Sequence, residues 1–243
     1  MLHDIRTIIW KEFKDIYHLT NTFEFKLKTL FFLILFGIAF PFWKGEEILY
    51  SDSISIIWLG MILISNIQLS IGSFVSEREN YSFETLLASR LPDKAIIWGK
   101  LLSYTIFSYI YIILFTLLNV STLIIIIKAQ VSNINYSTFP AKNLYFILLT
   151  CFLGALFSSA VGMFLSLKAK NWDQAQNNIR TGYVFIIISL VIVYNIIKSL
   201  NGYIADVQNS CTFIKFMTSF YIIAILFVLL LIFRKFKRPN LII

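Results

Sequence analysis

Six long apolar runs, separated by short polar segments, divide the chain. A helix needs roughly 20 residues to cross a hydrocarbon core about 30 Å thick, so each run is a candidate transmembrane span. The third run is longer than one span needs, and we expect its helix to tilt, kink or project beyond the bilayer. The runs are Leu27–Trp43, Ile54–Val75, Ile96–Ile127, Leu144–Leu167, Thr181–Ile197 and Phe213–Phe233.

The segment before the first run has the periodicity of an amphipathic helix. Its apolar residues recur at spacings of three and four, which places them on one helical face, and most charged residues fall on the opposite face. Such a helix ahead of a span is predicted to lie in the membrane interface. A short soluble helix packed on another chain remains the alternative. The predicted apolar face contains Leu2, Ile5, Ile9, Phe13 and Ile16.

Composition supports a membrane protein. The chain of 243 residues is 58% hydrophobic and 14% charged, with a mean hydropathy of +0.77. Soluble domains carry about 25% charged residues. We therefore predict an all-α integral membrane protein with six transmembrane helices preceded by an interfacial amphipathic helix. Residues 1–243 form one transmembrane domain in this interpretation, and residues 1–20 form the interfacial helix.

The net charge of +8 is unevenly distributed along the chain. Six spans place both termini on one membrane side, and most Lys and Arg residues fall on that side. Because cytoplasmic loops carry the excess of basic residues, both termini and residues 76–95 are predicted to be cytoplasmic. The charge thus indicates a multi-pass cell-membrane topology, and nucleic acid is not an expected partner. The high Ile, Phe, Asn and Lys content is typical of an AT-rich, prokaryotic source. The basic residues left on the outer side are Lys44, Lys128, Lys142, Lys198 and Lys215.

Polar residues on one face of the second run need a partner inside the membrane. Asn66, Ser70 and Ser73 share that face. Amide and hydroxyl groups in a bilayer are expected to face protein, water or substrate. Cavity lining and hydrogen bonding between helices both explain this pattern.

The fourth run carries small residues at every fourth position. This spacing places them on one helical face and lets two helices approach closely. Packing within the chain and a contact between subunits are both compatible with the pattern. The residues are Gly154, Ser158, Gly162 and Ser166.

The chain lacks the residue patterns that zinc, haem and ATP sites require. The two histidines, His3 and His18, both lie in the first helix, so paired-histidine zinc and haem sites are not expected. Gly99-Lys100 is followed by Leu101, which does not fit a phosphate-binding loop. We expect no cofactor, metal or ATP site in this chain and no enzyme activity of its own.

The polar segment of residues 76–95 lies between the second and third runs. Ser76 and Glu79 have the spacing of a capping box, which predicts a helix start at Ser76. The apolar residues form a patch that favours a docking surface, although contact with lipid headgroups also explains it. Phe83, Leu86 and Leu87 form this patch, with Tyr81 beside it and Glu77, Arg78, Glu79 and Glu84 around it.

This segment, "SERENYSFETLLASRLPDKAIIWGKLL", resembles the first cytoplasmic loop of type-2 ABC transporter permeases. The family typically has an acidic-arginine-acidic start, a small-residue turn, an "LE" with leucines, a proline and a glycine-lysine. Tyr81-Ser82 departs from the glycine-threonine that is usual at the turn. The positions that match are Glu77-Arg78-Glu79, Glu84, Leu86-Leu87, Pro92 and Gly99-Lys100.

The resemblance implies a permease that pairs with a second copy or a related permease and binds two cytoplasmic ABC ATPase subunits. ATP and Mg²⁺ would be held by those subunits, and the 76–95 loop would be the coupling helix. The implied docking residues are Glu77, Arg78, Glu79, Tyr81, Phe83, Glu84, Leu86 and Leu87. The family also implies that the second span lines the translocation path, at Asn66, Ser70 and Ser73.

The resulting hypothesis is an exporter subunit for a peptide, a drug or another amphiphilic substrate, which also contacts membrane lipid. A membrane immunity or scaffold protein that transports nothing is the alternative from another class. An ATP-independent carrier is the third possibility.

Overall fold

A computed structural model describes residues 1–39, 60, 63–130, 141–203 and 210–236. In these segments the chain forms helices joined by turns, and they contain no strand. We number the helices along the chain. They are α1 (Leu2–Thr20), α2 (Phe23–Ile34, continued by the π-helical turn Leu35–Ala39), α3 (63–70), α4 (Gly72–Glu79), α5 (Phe83–Ala88), α6 (Asp93–Gln130), α7 (Ala141–Lys168), α8 (Trp172–Tyr203) and α9 (Ser210–Lys235).

Helix α6 is the longest described element, with 38 residues. Pro92 precedes it and Asp93 occupies its first turn, where a fixed φ and a negative charge both favour a helix start. At 1.5 Å per residue the helix is roughly 57 Å long. The third apolar run therefore forms a helix longer than one span needs, as its length predicts.

Three helical segments among the described residues are long and apolar enough to cross a membrane. They are Asp93–Thr122, Leu148–Lys168 and Thr218–Lys235, which match the third, fourth and sixth predicted runs. The fifth run is helical within α8. Parts of the first and second runs, at 40–43, 54–59 and 61–62, lie outside the described residues. The all-α membrane fold is thus observed, and the number of six spans remains a prediction.

Helix α7 occupies the middle of the described bundle. It packs against α4, α6, α8 and α9, and it is the most enclosed of the three membrane-length segments. One buried cluster, which includes Phe74, Ile96 and Met163, joins α4, α6 and α7. A second cluster includes Ile67, Leu165 and Tyr221. The apolar core therefore surrounds α7 on several sides.

Helix α1 packs along α6. Its buried residues are Ile8, Glu12 and Ile16, spaced by four, while the predicted face residues Ile5 and Phe13 are half-buried. Gly99 on α6 permits this contact, because a Cβ there would lie 2.7 Å from Ile8 Cγ2. The stripe that faces the protein thus includes a glutamate, and the interfacial location of α1 remains a prediction.

Candidate functional site

A lysine without solvent contact lies at the meeting point of α1, α4 and α6. Lys100 has a fully buried side chain, and its Nζ donates to Glu12 Oε1 at 2.6 Å and to the Ser73 carbonyl at 2.8 Å. Glu77 Oε1 lies 3.1 Å from the same nitrogen. The ammonium also lies 4.9 Å from the centre of the Phe74 ring. Burying a charge costs several kcal/mol unless ion pairs and hydrogen bonds compensate it, and this arrangement supplies both.

The two carboxylates around Lys100 have further partners. Tyr104 Oη donates to Glu12 Oε2 at 3.0 Å, and Lys11 Nζ donates to Glu77 Oε1 at 2.6 Å. Lys11 is 45% exposed, whereas Glu12 and Glu77 are buried. Two positive and two negative side chains therefore neutralise one another. We name this cluster of Lys11, Glu12, Glu77 and Lys100 the charged junction.

The sequence contains a signal for the charged junction that the predictions above do not include. Glu12 lies four residues from both Ile8 and Ile16, so it is an acid on the apolar stripe of α1. Lys100 lies inside the third apolar run, where a cation requires an acidic partner. In the sequence Lys100 indicated a basic residue of the cytoplasmic side and the end of the Gly99-Lys100 motif, and neither interpretation gave it a partner. Pairing the two unusual charges would have predicted the contact between α1 and α6.

Arg78, the next residue after Glu77, binds the end of α7. Its guanidinium donates to the Ala169 carbonyl and, at 3.4 Å, to the Leu167 carbonyl. These carbonyls belong to the last turn of the helix and its first following residue, where helical partners are missing and the helix dipole is negative. The guanidinium also lies 5.0 Å from the centre of the Phe83 ring. Arg78 therefore links α4 to the end of α7 and to α5.

Glu79 binds the start of α8. Its Oε1 accepts a hydrogen bond from the Trp172 backbone N–H at 2.9 Å. Trp172 is the first residue of α8, where backbone N–H groups lack helical partners and a negative charge is favoured. Three consecutive side chains thus contact different helices. Glu77 contacts α1 and α6, Arg78 contacts α7, and Glu79 contacts α8.

The helix start predicted at Ser76 is wrong. Ser76 lies inside α4, and its hydroxyl donates back to the Gly72 carbonyl at 2.6 Å. The helix instead ends at Glu79, whose carboxylate binds α8 rather than its own backbone. The capping-box spacing fails as a predictor here because both side chains have other partners.

A tight turn follows α4. Tyr81 has φ of 54°, the left-handed conformation that costs an ordinary residue roughly 1 kcal/mol and that glycine adopts freely. Its side chain is 89% exposed. The Ser82 N–H closes the turn by donating to the Glu77 carbonyl at 2.9 Å. The position where the sequence departs from the usual glycine is thus the position that favours glycine most.

Helix α5 turns its aromatic residue inward, contrary to the expected exposed apolar patch. Phe83 is buried, with its ring centre 6.0 Å from that of Phe74 in an edge-on arrangement, and Leu86 is half-buried in the same cluster. The side chain of Leu87 lies outside the described ones. The exposed residues are Glu84, Thr85 and Ala88 of the helix and Tyr81 in the turn before it, and we name these four the outer face of α5.

The polar residues of the second run face α7. Asn66 Nδ2 donates to the Ala155 carbonyl at 2.8 Å and to Ser158 Oγ at 2.9 Å. Ser70 lies against Gly162, and the Ser73 carbonyl accepts from Lys100. All three side chains are buried. The contacts observed for Asn66 and Ser70 join helices, and a role of these residues in a translocation path remains a prediction.

The small residues of α7 pack against α3 and α4. A Cβ on Gly162 would lie 1.9 Å from Ser70 Oγ, so the two helices come closer here than any larger residue allows. Ser166 Oγ accepts a hydrogen bond from the Phe74 N–H at 2.9 Å. Gly154 and Ser158 are buried on the same helix. The observed contacts of Ser158, Gly162 and Ser166 lie within the chain.

Buried ion pairs, close helix contacts and membrane-length segments together define an all-helical integral membrane protein. The family model described as ABC-2 type transporter matches residues 3–198. The chain belongs to this family, and it is a permease component of an ABC-type transporter. No curated protein matches its sequence significantly.

Proposed function

We propose that this chain is the membrane subunit of an ATP-driven exporter and that the outer face of α5 docks on a cytoplasmic ABC ATPase. ATP and Mg²⁺ bind to that ATPase, two copies of which serve a pair of permeases. The pair consists of two copies of this chain or of this chain and a related one.

The connection between α5 and the rest of the bundle carries this proposal. Glu77, Arg78 and Glu79 lie immediately before the turn that leads to α5, and each binds a different part of the chain. A force applied to α5 would therefore reach α1, α6, α7 and α8 through short polar contacts. A simple connector between two spans would not need bonds to four helices.

The inward contacts of α5 support the same role. Phe83 packs on Phe74, and Arg78 lies over the Phe83 ring. The short helix is thus anchored on the core, while Tyr81, Glu84 and Thr85 stay exposed. An anchored helix with an exposed polar and aromatic face suits a contact that must transmit movement.

Coupling requires that the ATPase bind one membrane arrangement more tightly than the other. Closure of the ATPase pair around ATP would move α5, and the four helices bound by residues 77–79 would follow. Asn66 Oδ1 and Ser73 Oγ have no hydrogen-bond partner among the described residues, so a rearranged α3 and α4 could offer them to a polar part of the substrate. The few charges in the spans favour an amphiphilic substrate such as a peptide or a drug.

The docking proposal is tested by purification of the tagged full chain from its native membranes. Photolabelling with azido-ATP identifies any ATP-binding chain that comes with it. Glu84→Arg should abolish the labelled partner without changing the thermal stability of the permease. Asp15→Arg makes the same charge change at an exposed position of α1 and should keep the partner. Equal recovery with both variants would overturn the docking surface.

The six-span topology is tested separately. Single cysteines at Ser82 and Asn135, in a chain without Cys151 and Cys211, should react with a membrane-impermeant reagent from opposite sides. Labelling from the same side would refute the predicted topology and the cytoplasmic location of α5.

Stimulation of the complex by its cargo tests the exporter function. Addition of amphiphilic peptides and drugs to the reconstituted complex should raise ATP hydrolysis for the transported compound. A complex that hydrolyses ATP but moves no labelled compound across the vesicle membrane would argue against export.

A further inference from the structure

Two lysines meet at one end of the bundle, where two membrane-length helices stop. Lys168 ends α7 and Lys235 ends α9. Their ammonium groups lie 4.6 Å and 5.9 Å from the centre of the same Phe164 ring. Both helix ends therefore lie close to each other, with two positive charges near one aromatic ring.

Neither lysine is neutralised within the described residues. The ion pairs found there include neither of them, nor Arg78. Lys168 and Lys235 approach the same ring, and Arg78 binds the carbonyl of Ala169 beside Lys168, so like charges lie near one another. A cation–π contact stabilises a cation only modestly, and it does not supply a counter-charge.

Unpaired carbonyls at the end of α7 do not account for its lysine. Arg78 already donates to the Leu167 and Ala169 carbonyls at the end of that helix. At the end of α9, Phe236 is buried, with its ring 5.6 Å from that of Phe74, which holds this helix end close to α4. The three cations are therefore kept near one another by the packing of α4, α7 and α9.

We propose that Lys168, Lys235 and Arg78 bind the phosphate of an anionic phospholipid headgroup. The segments Leu148–Lys168 and Thr218–Lys235 both end at these lysines, and the boundary between hydrocarbon and water is where headgroup phosphates lie. Trp172, the first residue after the α7–α8 turn, is 41% exposed, and tryptophan is enriched at this boundary. Basic pockets between transmembrane helices bind such headgroups.

This proposal does not depend on the docking of an ATPase, because it concerns the isolated permease in lipid. A phosphate bound here would offset the repulsion among the three cations and hold α4, α7 and α9 together. Anionic lipid should therefore stabilise the folded chain more than a zwitterionic lipid does.

The test uses the full chain in an uncharged detergent and short-chain phosphatidylglycerol as the probe. Thermal unfolding is followed as the lipid is titrated, with phosphatidylcholine and inorganic phosphate in parallel. Phosphatidylglycerol should raise the unfolding temperature. In the double variant Lys168→Gln/Lys235→Gln, the phosphatidylglycerol concentration that gives half of this effect should rise at least about tenfold. Lys168→Arg/Lys235→Arg should retain the response.

A matched control separates a site from general attraction. Lys14→Gln/Lys94→Gln removes the same charge at two exposed positions and should change the response less than twofold. An equal loss in this control would show diffuse charge attraction and overturn the site. If inorganic phosphate stabilised the chain equally well, a lipid would not be the ligand of the site. An unchanged response of Lys168→Gln/Lys235→Gln to phosphatidylglycerol would overturn both the site and its lipid ligand.

Discussion

Glu77, Arg78 and Glu79 lie close along the chain to Tyr81, Glu84 and Thr85, but the two sets differ in what their side chains contact. The polar groups of Glu77, Arg78 and Glu79 form hydrogen bonds and ion pairs with α1, α6, α7 and α8. Tyr81, Glu84 and Thr85 project outward. One short segment thus contains an inner part that fixes the bundle and an outer part that is available to a partner.

The difference shows that a charged side chain in a polar loop can serve the fold even where it is exposed, as Glu79 is. All three residues of the acidic-arginine-acidic start are charged, and each nevertheless has a partner within the chain. An exposed aromatic residue on a left-handed backbone, in contrast, has no such role in stabilising the fold. Variants of the inner part should therefore change stability, and variants of the outer part should change partner binding.

The largest loss of stability is expected for Lys100→Met. Glu12 and Glu77 would remain buried without their shared cation, and removal of one partner of a buried pair costs about 3–5 kcal/mol. Unfolding of the purified chain in mixed detergent micelles measures this change in free energy.

Lys11→Met is the matched control, because Lys11 binds the same Glu77 but is 45% exposed. The unfolding free energy that Lys11→Met removes should stay below about 1 kcal/mol. Addition of Glu12→Gln to Lys100→Met should recover part of the larger loss. Similar values for the two lysine variants would contradict the importance of burial in the charged junction.

Gly162→Ala should have the next largest effect. The added Cβ would meet Ser70 Oγ at 1.9 Å and Ser70 Cβ at 3.0 Å, and overpacking of this kind typically costs about 1–3 kcal/mol. Ser70→Gly removes both atoms and should restore much of the stability in the double variant. A double-mutant cycle on unfolding free energies measures the coupling, and additive effects would contradict the close contact of α3 with α7.

Tyr81→Asn tests the outer part. Asparagine tolerates the left-handed conformation, so stability should rise by up to about 1 kcal/mol. Loss of the exposed ring should nevertheless weaken ATPase binding several-fold. Tyr81→Phe keeps the ring and should alter neither property. Unchanged binding by the asparagine variant, measured by recovery of the azido-ATP-labelled partner, would exclude the ring from the interface.

The smallest effect is a pH dependence at Lys11. Its partial burial lowers the pKa, but the hydrogen bond and charge of Glu77, together with the charges of Glu12 and Asp15, raise the pKa above the ordinary 10.5. Because the folded state binds this proton more tightly, the contribution is complete below pH 10.5 and is lost as pH rises through the raised pKa. The stability difference from Lys11→Gln, below about 1 kcal/mol, should shrink in that range. A difference that grows with alkaline pH would contradict the ion pair.

The described helices of the apolar runs follow directly from the sequence, because a long apolar run in a membrane has few alternatives to a helix that pairs its own backbone groups. The small residues of α7 also predicted a close helix contact, although their spacing did not identify the partner helix. The sequence did not predict that Phe83 turns inward, since an aromatic residue in a polar loop fits either an exposed patch or a buried anchor. In the charged junction Lys11 binds Glu77 across 66 positions and Lys100 binds Glu12 across 88 positions, and local spacing does not encode such contacts.

A comparison of Glu79→Gln with Glu84→Gln, in the recovery of the azido-ATP-labelled ATPase, tests the division between the inner and outer parts most directly. Both variants remove one negative charge from an exposed residue, but glutamine at 79 keeps an oxygen that can accept from the Trp172 N–H. Recovery should be several-fold lower for Glu84→Gln and normal for Glu79→Gln. Equal recovery in both variants, or a greater loss at Glu79, would contradict the division between the inner and outer parts.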